Sequence, residues 1–185
     1  MIETFVLKLV TGIALMWLLM PRKEVTDGFF RIQMLVALGL CVLLVLVIHP
    51  RAASQESNSL TNVMTTGMRT EAGNELIRFA QLITAVIAFA GHIVWKLGRR
   101  LPGVMAIYAV AILCLLSLVT ASLAGGVNFD SLNLLLSDLT SAAVLGATLT
   151  GMLLGHWYLT TPTMSIGPLT WFTKALAVAA ILRLR

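Results

Sequence analysis

The chain has 185 residues, 58% of them hydrophobic and 11% charged, with a mean hydropathy of +0.94. A soluble domain carries about 25% charged residues; this chain has too few to cover a globular surface in water, which excludes a soluble enzyme, and its hydrophobicity excludes a disordered chain. The net charge of +5 and pI of about 9.8 do not point to nucleic acid, because the 13 Lys and Arg lie near the ends of apolar runs and form no basic stripe.

What remains is an all-α, polytopic integral membrane bundle of five to six transmembrane helices, a single domain over residues 1–185. A spanning helix needs about 20 largely apolar residues. The expected spans are about 4–20, 32–49, 75–97, 103–124, 131–159 and 168–185, with a polar extramembrane loop at 50–74. The first is short, is stopped by Pro21, and leaves Lys8 to snorkel from its first turns. It opens Met-Ile-Glu and ends before Arg22-Lys23, the wrong order for a signal peptide, and reads as a retained helix. The second closes at His49-Pro50. Thr70 followed by Glu71 is the expected start of the third, which ends in Gly98-Arg99-Arg100. Asp130 or Ser131 is expected to cap the fifth, which runs to about Leu159. The last apolar run, Leu169 to Leu184, is short for a span.

The short loops set the orientation. Arg22, Lys23 and Arg31 in one turn and Lys96, Arg99 and Arg100 in another fall on the same side, which the positive-inside rule makes cytoplasmic. A bacterial inner (plasma) membrane is the expected location.

Chemistry has few candidates. No phosphate loop, dinucleotide fingerprint, zinc-protease motif or nucleophile elbow occurs, and a non-catalytic chain is expected. Cys41 and Cys114 each sit alone in an apolar run, where they act as small hydrophobes. His92 and His156 each lie four residues before a helix end, on helices running in the same direction, so their rings share one depth. Each follows a glycine, which leaves room beside it for a flat group. Axial ligation of one b-type haem is the functional expectation for this pair; the plainer one is interfacial histidines beside Trp95 and Trp157. His49, at the opposite face, reads as interfacial.

Small residues repeat at every fourth position through Ala143, Ala147, Gly151 and Gly155, the spacing of a seam between membrane helices. Asp138 is 18 residues from His156, about 27 Å along a helix, too far to share a site with it; it reads as an interfacial acid favoured by a helix N-terminus. Lys174 is expected to snorkel. The two most distinctive strings are Asp27-Gly28-Phe29-Phe30-Arg31 and the aromatic, hydroxyl-rich run from Gly155 to Met164.

The function these residues point to is a subunit that anchors or scaffolds a larger membrane complex, with or without one haem b in an electron-transfer assembly. Its partners are then the lipid bilayer and other membrane protein subunits. The alternative is a small transporter or channel, against which stands the lack of any inverted repeat or mid-membrane helix break.

Overall fold

The computed structural model describes residues 2–20, 25–55, 66–123, 126, 128–160 and 167–183. It is a helical membrane bundle: α1 (Ile2–Leu19), α2 (Asp27–Gln55), α3 (Thr66–Lys96), α4 (Arg100–Ser122), α5 (Phe129–Thr160) and α6 (Gly167–Arg183). The first five are long and apolar enough to cross a membrane. In lipid the helix satisfies each interior N–H and C=O within its own segment, and these sequences supply the apolar side chains that lipid requires.

Two helices outrun their apolar stretches. The apolar window of α2 ends at Ile48, yet the helix continues through His49-Pro50 to Gln55. Proline removes one intrahelical hydrogen bond without forbidding the next turn, and the polar residues beyond it need no lipid. α3 begins at Thr66, so Thr70 lies inside it and does not cap it. α5 starts ahead of both expected caps: the Asn128 carbonyl accepts from Leu132 N–H at 3.1 Å, and Ser131 Oγ, already in the helix, donates back to the Gly126 carbonyl at 2.7 Å.

The turn between α3 and α4 is closed by a Schellman motif. Gly98 takes φ 69, its N–H donates to the Trp95 carbonyl at 3.2 Å, and Arg99 N–H donates to Val94 at 3.3 Å. Only glycine enters that left-handed region without strain. Pro102 falls in the first turn of α4, where its missing N–H is not needed.

α3 packs on α2 and α4; α1 packs on α5, α4 and α2; α6 lies against α5. The closest seam joins α1 to α5. A Cβ on Gly146 would collide with the Gly12 backbone, and one on Gly12 would stand 2.9 Å from the Gly146 nitrogen and closer still to Ala142. The core beside this seam holds Trp17, Ile13, Phe30, Met34 and Ile107, all fully buried.

Candidate functional site

At the end of the bundle where α1 and α5 begin, Lys8 Nζ lies 2.7 Å from Asp138 Oδ1. Ser122 Oγ on α4 donates to the other carboxylate oxygen at 3.0 Å. The two side chains keep 25% and 14% of their exposure, so the pair is largely withdrawn from solvent. Asp138 sits nine residues into α5, about 14 Å along its axis. That is beyond the first turn, where the helix dipole acts. The expectations of a snorkelling lysine and a dipole-held aspartate are therefore corrected: each charge is balanced by the other across helices.

Polar groups continue inward from this end. Gln81 Nε2 donates to Ser117 Oγ at 3.0 Å, Ser117 donates to the Leu113 carbonyl at 2.8 Å, and Thr11 donates to the Cys114 carbonyl at 3.3 Å. Gln81 is 0% exposed, and its Oε1 has no hydrogen-bond partner among the described residues. One turn nearer the bundle end, Ile77, Leu7, Thr120 and Ala121 line a cavity of about 190 Å³ that Thr4, Leu44 and Asn74 also border.

The opposite end brings together the two distinctive strings. The Trp157 ring covers Gly28, where a Cβ would stand 3.0 Å from Cζ2, and Trp157 Nε1 donates to Thr26 Oγ1 at 2.9 Å. Phe30 stacks on Trp95 with centroids 4.9 Å apart, and Gly103 lets α4 approach the same indole, since an added Cβ would stand 2.7 Å from the ring.

The two histidines are placed differently. His92, half-buried, has Nδ1 3.1 Å from the Arg31 carbonyl of α2. The partner carbonyl belongs to a neighbouring helix, which fixes the ring against α2. The space beside Gly91 is filled, with Met34 Sδ and Ala106 Cβ 3.3 and 3.2 Å from where a Cβ would stand. His156 is exposed on α5, and α3 and α5 are not a packed pair. Among the described residues no group of three or more His, Cys, Asp or Glu gathers as a metal site. His49 lies in α2 with its side chain outside the described ones, and Thr161 to Met164 of the distinctive string lie outside the described residues.

Along the predicted seam, Ala147 is buried in the core and Ala143 packs against it. Among the described residues, Gly151 and Gly155 have no atom from another part of the chain within 4 Å of an added Cβ. Lys174 is exposed on α6. The Lys8–Asp138 pair was not foreseen, although the depth argument that matched His92 to His156 applies equally to one embedded lysine and one embedded aspartate on parallel helices.

These features define a polytopic helical membrane bundle with a largely withdrawn charge pair between α1 and α5. Comparison with protein-family models, with curated proteins and with solved structures finds no match.

Proposed function

We propose that the chain is a small non-catalytic subunit that anchors and scaffolds a larger assembly in a bacterial inner (plasma) membrane, with other membrane protein subunits as its partners. The open face of α5 carries this reading. Among the described residues, Gly151 and Gly155 have no neighbour within 4 Å of an added Cβ, whereas Gly12 and Gly146 touch backbone to backbone. In a helix interior glycine costs about 1 kcal/mol relative to alanine. Lipid offers nothing in return, while the close approach of another helix does. Helical spans with cations gathered at one end suit an inner membrane and not the barrel architecture of an outer one.

The test is crosslinking in intact membranes from a photoreactive residue at Met152, which is exposed on the same helix. The expected result is a discrete adduct to another membrane protein, lost when Gly151 and Gly155 are both replaced by leucine. Adducts to lipid alone, or an adduct indifferent to the two leucines, overturn the reading.

A second reading, a small transporter or channel, is favoured by the cavity and the buried Gln81–Ser117 pair one turn beneath it. It predicts solute or ion flux in proteoliposomes that falls at least tenfold in Gln81→Leu. Absence of flux from the unaltered chain across a panel of small ions and solutes removes it.

A further inference from the structure

Four exposed cations converge where α2 begins, α3 ends and α4 begins: Arg31, Lys96, Arg99 and Arg100. Three contacts fix their placement. The Arg31 carbonyl is held 3.1 Å from His92 Nδ1, one turn before Lys96 on α3. Arg100 Nε lies 3.4 Å from Asp27 Oδ1, one turn before Arg31 on α2. The Schellman turn at Gly98 sets Lys96 and Arg99 on a backbone of fixed shape. Asp27 offsets Arg100 alone; Arg31, Lys96 and Arg99 have no anionic partner among the described residues.

The surface running away from these cations is apolar. Leu101, Met105 and Ile112 follow one another along α4, 84%, 71% and 55% exposed, a track in the direction an acyl chain takes from a headgroup. Uncompensated positive charge at the end of apolar spans attracts anionic lipid, and basic clusters between membrane helices bind lipid phosphates. Arginine adds paired donors matched to phosphate oxygens.

We propose that this patch is a binding site for an anionic phospholipid, the phosphate held by Arg31, Lys96 and Arg99 and one acyl chain lying along Leu101, Met105 and Ile112. The joined cation patch and apolar track select a lipid over a free anion. The site stands independently of the subunit reading, since it involves neither Gly151 nor Gly155.

The experiment is native mass spectrometry of the full chain in detergent, titrated with phosphatidylglycerol or with phosphatidylcholine of the same acyl chains. Phosphatidylglycerol is expected to be retained in preference. Each cation near a membrane surface contributes about fivefold to attraction for anionic lipid, so R31Q/K96Q/R99Q is expected to weaken retention by roughly a hundredfold. The charge-conserving R31K/K96R/R99K is expected to keep most of it, and equimolar inorganic phosphate is expected to leave the lipid in place. Equal retention of the two lipids by the unaltered chain overturns the site, whatever the variants do. So does undiminished binding by the neutralised variant, or displacement by inorganic phosphate, which identifies a free-anion site.

Discussion

Gly146→Leu is expected to separate α1 from α5 and to cost about 3 kcal/mol of stability, at the upper end for overpacking. The added Cβ would fall on the Gly12 backbone. A flexible side chain could rotate away from it, but two helix backbones can only move apart. Separation also strips the Ala142 backbone of its close approach to Gly12. In lipid, van der Waals contact of this kind is what holds helices together, because apolar burial alone supplies no driving force there. Reversible unfolding of the purified chain by increasing mole fraction of SDS measures the loss. Gly151→Ala and Gly155→Ala are the controls. With none of the described residues within 4 Å of either added Cβ, each is expected to leave stability unchanged or to raise it by about 0.5–1 kcal/mol through helix propensity. Equal losses at Gly146 and Gly151 would falsify the placement of the seam.

Lys8→Met is the second large effect. It leaves the Asp138 carboxylate with Ser122 as its only remaining partner among the described residues, in place of a cation at 2.7 Å. Removing one member of a buried pair costs about 3–5 kcal/mol. The residual exposure of both groups lowers the expected loss to about 2–3 kcal/mol. Asp138→Asn alone is expected to cost about as much, because Lys8 is then the orphan. The double variant Lys8→Met, Asp138→Asn is expected to lose less than the sum, since no uncompensated charge remains. Exchanging the two, Lys8→Asp with Asp138→Lys, is expected to regain part of the loss. The same SDS titration reads all four. Additive losses in the double variant, with no recovery on exchange, would show that the two charges do not act as a pair.

The membrane class and the existence of every helix were legible in the chain itself. Long apolar runs punctuated by Pro21, Gly98 and the cation clusters admit only one local solution in lipid, because an unsatisfied backbone has nowhere else to bond. Helix ends were less legible: Thr70 and Asp130 carry cap chemistry, but residues ahead of them are also content in a helix once outside the hydrocarbon. The pairing of helices was not legible at all. Lys8 and Asp138 are 130 residues apart, and nothing local to either says which face of which neighbour it meets. The periodic small row of α5 marks a helix suited to close approach, yet the contact made with α1 uses Gly146 and Ala142, one position aside from that row. A row of small residues fixes a permitted distance, not a partner. Likewise, equal depth of His92 and His156 follows from the helical rise alone. Whether two rings at one depth share a cleft depends on which helices are neighbours, and the tertiary packing sets α3 against α2 and α4 while setting α5 against α1 and α6. The sequence by itself determined that the chain enters lipid as helices, since backbone hydrogen bonding and apolar length are local properties. Only the tertiary structure decided which charges neutralise each other and which glycines are filled, since both depend on rotation of one helix about its axis relative to the next.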